Sequence, residues 1–334
     1  MEPLLDTFGR PLETLRVSIT DRCNFRCVYC MPKEVFGRDY AFLDRKELLS
    51  LEEIERVVGV FAQLGVRTVR ITGGEPLVRR NVEHLVELLA AIPGLELALT
   101  TNGSLLPQKA AALAAAGLDR VTVSLDSMDD HAFKALNDVD FPVSRVLEGI
   151  DAAEAAGLRV KVNAVVKRGA NDDGILPLAE RFRGTPHTLR FIEYMDVGSS
   201  NGWRLDDVVP AAEIVERIGA VWPLDLLPAA RPDETSRRYG YRDGAGEIGV
   251  IASVSQPFCG GCSRARLSAE GQLYTCLFAQ KGHDLREPLR NGASDEELAL
   301  SIRSVWHTRA DRYSELRTAE TAALPKVEMS YIGG

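Results

Sequence analysis

The feature that most constrains this chain is a serial alternation of short apolar runs with helix-patterned stretches, six times over between residues 15 and 192. The predicted strands are Leu15–Ile19, Val66–Ile71, Leu95–Leu99, Arg120–Leu125, Arg159–Val165 and Thr188–Ile192. Each is a short β-branched or apolar run bounded by turn formers. Between them lie helices. Ser50-Leu51-Glu52-Glu53 is a capping box that opens one bearing Ile54, Val57, Val58 and Phe61, stopped by Gly65. Others are predicted over about 82–91, up to Gly117, over 144–156 and over 175–182. Strands joined by helices run parallel with right-handed crossovers. A doubly wound sheet and a barrel both satisfy that rule.

The unusual residues favour the barrel. The cysteines after residue 20, Gly73-Gly74-Glu75-Pro76, Thr100-Thr101-Asn102-Gly103, Ser124-Leu125-Asp126 and Glu193-Tyr194-Met195-Asp196 all follow strands. That rim is where barrels build active sites. Six units are fewer than a closed barrel of this kind needs, so it is open on one side. After Pro210 the pattern changes. One more helix is predicted at Ala211–Ile218, antiparallel strands at Arg238–Arg242 and Glu247–Ser253, and a hairpin of Arg264–Leu267 and Gln272–Leu277 about Ser268-Ala269-Glu270-Gly271. Asp295–Thr308 is a last helix. The expected fold is α/β: an incomplete (β/α)6 TIM-like barrel over residues 1–220, with an α+β extension over 221–334. How the Pro-, Arg- and Gly-rich stretch 223–246 folds around the strand predicted at Arg238–Arg242 is left open.

With 48 acids against 40 bases, the net charge of −8 argues against a general nucleic-acid binder. No run of about 18 apolar residues offers a membrane span. Met1 to Arg10 has no apolar core of a secretory signal, so a cytoplasmic location is expected. Disulfides are rare there. The six cysteines moreover form two trios, and pairing within a trio strands a thiol.

The first trio is Cys23, Cys27 and Cys30. Structural zinc wants four closed ligands, so zinc here would need a distant fourth. A four-iron cluster on three thiolates leaves one iron open. The second trio is Cys259, Cys262 and Cys276, with no further cysteine in the chain. It reads as a zinc knuckle completed by His283, or as a second four-iron cluster whose open iron takes a substrate atom. Arg264 and Arg266 are two apart on a strand and face the same side. Arginine forks suit phosphate oxygens. Arg16, Arg70, Lys161 and Arg190 lie on strands one, two, five and six, a ring of cations suited to a triphosphate. Arg16 sits near the start of its strand, so only its side-chain direction brings it to the mouth.

The first trio, with Tyr29 before its last cysteine and Gly73-Gly74-Glu75-Pro76 after the second strand, resembles the radical S-adenosylmethionine (SAM) superfamily. Within it the chain is similar to the GTP 3',8-cyclases of molybdenum cofactor biosynthesis, from about Gly9 to Gly334. Residues 20–27, 70–77, 191–198 and 331–334 carry that resemblance. It implies two [4Fe-4S] clusters, SAM held by Tyr29, Gly74, Ser124 and Met195, and GTP held by Arg16, Arg70, Thr101, Lys161, Arg264 and Arg266. Arg190 is added from its strand position alone. The resemblance also implies a tail, Gly333-Gly334, that enters the cavity and assists radical initiation beside Arg264 and Arg266. The implied lyase cleaves SAM reductively. The 5'-deoxyadenosyl radical takes H3' of GTP, and C3' adds to C8, giving 3',8-cyclo-7,8-dihydro-GTP. Implied partners are an electron donor and the next enzyme of molybdopterin synthesis, the cyclic pyranopterin monophosphate synthase. The oligomeric state is left open, a homodimer being one option.

Each residue also has a plainer reading. Ser124 reads as a strand-end hydroxyl, Met195 as a core filler, Gly74 as a turn glycine, and the tail as a frayed terminus or a sulfur-carrier end. Two rivals stand at the level of function. One is a peptide-modifying radical SAM enzyme with an auxiliary cluster, which has no need of Arg264 and Arg266. The other is a zinc-stabilised binding protein without catalysis.

Overall fold

The computed structural model describes residues 3–231, 233–322 and 324–333. Its strands form one twelve-stranded sheet. The central six are β1 (Thr14–Ser18), β2 (Thr68–Thr72), β3 (Glu96–Thr101), β4 (Arg120–Ser124), β5 (Arg159–Val166) and β6 (Thr188–Glu193), each parallel to its neighbours. Helices α1 (Leu51–Gln63), α2 (Val82–Ala90), α3 (Leu106–Ala115), α4 (Asp130–Asn137), α5 (Val143–Ala155) and α6 (Ile175–Phe182) make the crossovers, and α7 (Ala211–Gly219) follows β6.

Period-two alternation in the strands decides which face is which. Leu15 and Val17, Val69 and Ile71, Leu97 and Leu99, Val121 and Val123, Val162 and Ala164, and Leu189 and Phe191 are all fully buried in the apolar core. Burying each of the larger side chains contributes roughly 1.5–3 kcal/mol. The residues between them, Arg16, Arg70, Lys161, Asn163 and Arg190 among them, therefore take the other, concave face. Parallel strands covered on both faces read as continuous apolar runs. These do not, and the concave face encloses a polar cavity instead of a packed core.

The later strands widen this sheet on both edges. On one side β9 (Glu247–Ile251) runs parallel to β6, followed outward by β8 (Arg237–Tyr241) and the edge strand β7 (Leu224–Leu226). On the other side β10 (Arg264–Leu267) runs parallel to β1, followed by β11 (Gln272–Tyr274) and β12 (His283–Asp284). The expected antiparallel pairs form, β8 with β9 and β10 with β11. The stretch 223–246 contains the predicted strand, as β8, and β7 beside it.

The capping box forms: Glu53 N donates to Ser50 Oγ at 3.0 Å, and Ser50 N to Glu53 Oε2 at 2.7 Å. The helices α8 (Arg286–Arg290) and α9 (Asp295–His307) follow, with two single turns after them, and α9 buries Trp306 against the N-terminal segment. Among the described residues no helix is long and apolar enough to cross a membrane.

Candidate active site

The concave face of the sheet encloses a cavity of about 690 Å³. Cys23, Cys27 and Cys30 line it from the loop after β1, and Cys259, Cys262 and Cys276 from the segments just before β10 and just after β11, beside the start of β1. Both trios therefore face one chamber.

The first trio is held by α4. Arg26 N donates to Asn137 O at 2.9 Å and Val28 N to Leu136 O at 2.9 Å, docking the loop on the end of that helix. Phe25 meets Phe133 edge-on at 6.3 Å, and Arg26 Nη1 donates to Cys23 O at 2.8 Å. The two glycines after β2 fit a close approach. A Cβ on Gly73 would lie 2.7 Å from Thr20 O, and one on Gly74 would collide with the Arg22 carbonyl. No side chain larger than glycine's lets this turn rest on the cysteine loop.

All six cysteines are free thiols. Burial pushes Cys23 up to about 12, and Cys27 and Cys30 also well upward, with neighbouring thiols adding to the rise in Cys27 and Cys30. Three thiolates this close need a cationic centre to ionise together. Among the described residues no three of His, Cys, Asp and Glu are placed to hold a metal ion. A single zinc needs its ligands about 2 Å from one point. In a four-iron cluster each thiolate binds a different iron, so the sulfurs only have to surround it. Two loops of three open thiols fit the larger group. His283, the fourth ligand of the zinc alternative, is exposed on β12 and does not line the cavity.

Around the first trio, Tyr29, Gly74, Ser124 and Met195 all line the cavity. Tyr29 OH donates to Asp126 Oδ2 at 2.5 Å, and Val165 N donates to Asp126 Oδ1 at 2.8 Å. Burial pushes Asp126 up to about 6. Glu75 accepts from Thr101 Oγ1 at 2.8 Å, Asn102 N at 2.7 Å and Leu77 N at 3.0 Å, and burial pushes it up to about 7. The Thr101 hydroxyl is thus committed to Glu75.

The cations come together by sheet register. Arg266, Arg16 and Arg70 are Cα partners across β10, β1 and β2, and Lys161, Arg190 and Arg264 line the same cavity. Neutral groups hold them: Arg70 Nη1 donates to Thr100 Oγ1 at 3.1 Å and Thr122 Oγ1 at 3.0 Å, and Arg190 Nε to Asn163 Oδ1 at 2.9 Å. Opposite Arg190 stands Gly249, where a Cβ would lie 2.9 Å from Arg190 Cγ. Among the described residues Arg16 Nε is buried without a hydrogen-bond partner. Burial first, then repulsion from neighbouring guanidinium groups, pulls Arg70 down to about 9, Lys161 to about 8, and Arg16 well below its usual value. Arg190 and Arg266 fall to about 10 for the same reasons. A polyanion would reverse these shifts.

The second trio is gripped by residues the sequence reading did not single out. Arg309 Nη2 donates to Cys262 Sγ at 3.1 Å, Nη1 to Cys262 O at 2.7 Å, and Nε to Thr275 O at 3.1 Å. Arg10 Nη1 donates to Cys259 O at 2.9 Å. Asp6 Oδ2 accepts from both, Arg10 Nε at 2.6 Å and Arg309 Nη1 at 3.0 Å. Asp6 and Arg309 lie 303 residues apart, so no local pattern joins them. Burial opposes ionisation of Cys262, but Arg264 and Arg309 override it and bring the thiol down to about 6. Burial pushes Cys276 up to about 12.

The C-terminal segment returns to this chamber. Gly333 is buried at φ +77°, its carbonyl accepts from Arg266 Nη1, and a Cβ there would collide with Thr72 Oγ1. Gly334 lies outside the described residues. Asp196 accepts from Arg317 Nε at 2.9 Å, and Glu328 from Ser199 N at 3.0 Å and Ser200 Oγ at 2.9 Å. These two carboxylates latch the tail to the loop after β6. Neither was foreseen as a site residue.

Comparisons with known proteins agree with this geometry. A sequence model of the radical SAM superfamily matches residues 17–182, and one described as Molybdenum Cofactor Synthesis C matches residues 187–315. The chain is 52% identical to a GTP 3',8-cyclase of Acidothermus cellulolyticus, over 100% of this chain and 99% of that one. It is 52% identical to one of Xanthomonas axonopodis pv. citri, over 99% of both, and 46% identical to one of Staphylococcus aureus, over 100% of both. In fold it is similar to Streptococcus suis SuiB bound to S-adenosylmethionine, at 15% identity and a TM-score of 0.63, over 95% of this chain and 72% of that one. The chain belongs to the radical SAM superfamily, and within it to the GTP 3',8-cyclases.

Proposed function

We propose that this enzyme converts GTP to 3',8-cyclo-7,8-dihydro-GTP, with SAM as the radical source, in the opening step of molybdenum cofactor synthesis. The observation that carries it is one cavity of about 690 Å³ walled by two cysteine trios and floored by a row of cations. An iron–sulfur cluster on Cys23, Cys27 and Cys30, when bound, supplies the electron that splits SAM. Tyr29, Gly74, Ser124 and Met195 hold SAM beside it. Arg16, Arg70, Lys161 and Arg190 take the triphosphate, with Arg264 and Arg266 between it and the second trio. Thr101 stays within reach but shares its hydroxyl with Glu75. Cys259, Cys262 and Cys276 would hold a second four-iron cluster, which would offer its open iron to the purine. Arg266 positions Gly333 through its carbonyl, and the tail closes the cavity against water.

In this reading residues 1–220 carry SAM cleavage and most of the triphosphate contacts, and residues 221–334 carry the second cluster, Arg264, Arg266 and the tail. The enzyme works in the cytoplasm, takes electrons from a reductant and passes product to the cyclic pyranopterin monophosphate synthase. The test is anaerobic incubation of the reconstituted protein with SAM, dithionite and GTP. A product of the same mass as GTP with a changed fragmentation pattern, formed with 5'-deoxyadenosine, is expected. Release of 5'-deoxyadenosine with GTP untouched contradicts it.

A further inference from the structure

The two trios differ in what their sulfurs touch. In the first, Cys23 Sγ accepts from Phe25 N at 3.4 Å and stands 3.9 Å from Asn102 Nδ2, both neutral donors. In the second, Cys262 Sγ accepts from the Arg309 guanidinium at 3.1 Å. That guanidinium is held rigidly. Its side chain is 1% exposed and Asp6 opposite it is 0% exposed. The Trp306 ring lies 4.5 Å beneath it, its other nitrogens are bound to Asp6, Cys262 O and Thr275 O, and the Asp311 carboxylate stands 3.5 Å from Nε. With those positions taken, Nη2 points at the sulfur. Arg309 does not line the cavity, so it acts from behind the trio and not on the substrate.

We infer that Arg309 is a positioning residue that makes the second cluster the easier of the two to reduce. This rests on the proposed second four-iron cluster. Reduction adds negative charge to a cluster and its thiolates. A fixed cation that donates to one of those sulfurs stabilises the reduced form more than the oxidised one. Hydrogen bonds to sulfur and net charge set the potentials of such clusters, and partners of the ligands tune a metal centre generally. A charge-assisted donor in a dry setting is the stronger kind. Among the described residues the first trio's sulfurs have no cationic donor of this sort, which leaves its cluster at the low potential that SAM cleavage demands.

The test is an anaerobic redox titration followed by electron paramagnetic resonance, with iron and sulfide counted. Signals are assigned by their loss in Cys23→Ala and Cys276→Ala. In the wild type the second cluster has the higher midpoint. Arg309→Met moves that midpoint to more negative potential and leaves the first cluster's in place. Arg309→Lys keeps a charge opposite Asp6 but lacks the fork, and moves it part of the way. A merely structural role would lower occupancy of the second cluster without moving the midpoint of what remains. If Arg309→Met does not load, Arg309→Lys decides. An unmoved second midpoint in a variant that holds both clusters overturns the inference. Iron for one cluster only in the wild type overturns the two-cluster reading instead.

Discussion

Arg16 and Arg70 stand Cα to Cα across β1 and β2, with both side chains in the cavity. The Arg70 guanidinium is bonded to two threonine hydroxyls, and among the described residues Arg16 Nε has no partner. Two half-buried cations side by side, with no carboxylate paired to either among the described residues, repel each other until an anion arrives. Removing either should therefore weaken GTP binding. A hydrogen bond to a charged group contributes about 1.5–3 kcal/mol, so Arg70→Ala should raise the Kd for GTP roughly 10- to 100-fold. SAM cleavage without GTP should be unchanged. Calorimetry on the anaerobic protein reads the first, and 5'-deoxyadenosine release the second.

Much of this was legible because strand alternation has a period of two. Once Leu15 and Val17 are assigned to the core, Arg16 has to face the other way. The same logic puts Arg70, Lys161 and Arg190 on one concave surface. The non-local pairings were not legible. Nothing near Arg266 announces that it stands beside Arg16, and only the parallel pairing of β10 with β1 brings it there. α4 escaped notice because a helix of eight residues shows barely two turns of periodicity. β7 and β12 are edge strands of three and two residues, too short to carry a pattern. The Asp6, Arg10 and Arg309 cluster joins the two ends of the chain, and charged residues there read as solvated surface until burial is known.

Lys161 gives a pH signature. Burial and the neighbouring arginines pull it down to about 8. It is therefore cationic below that value and increasingly neutral above it. Triphosphate binding selects the charged form, so proton uptake accompanies binding near and above pH 8, and GTP affinity falls as pH rises through that value. In Lys161→Arg the fall should flatten, because arginine keeps its charge. Affinity measured at several pH values for both proteins checks this.

Asp129 caps α4, accepting from Ala132 N at 2.8 Å, and α4 carries the first cysteine loop. Asp129→Ala should cost about 1 kcal/mol of stability. The loss should appear in denaturant unfolding together with lower occupancy of the first cluster, the second being untouched. Iron counted in a Cys276→Ala background isolates the first cluster.

Gly333→Ala adds a Cβ against Thr72 Oγ1 at a backbone angle that L side chains rarely adopt. The tail should leave its seat on Arg266, at a local cost of about 1–2 kcal/mol. The melting temperature should fall by only a few degrees, while cyclised product per SAM consumed falls sharply. Limited proteolysis reports release of the tail.

In the proposed reaction SAM and GTP meet in one chamber, with the ribose of GTP beside the first trio and its purine beside the second. GTP carrying deuterium at C3' tests this most directly. Incubated anaerobically with SAM and dithionite, it should deliver its deuterium to 5'-deoxyadenosine, read by mass spectrometry. Unlabelled 5'-deoxyadenosine formed alongside cyclised product would contradict hydrogen transfer from C3' of GTP to the SAM-derived radical.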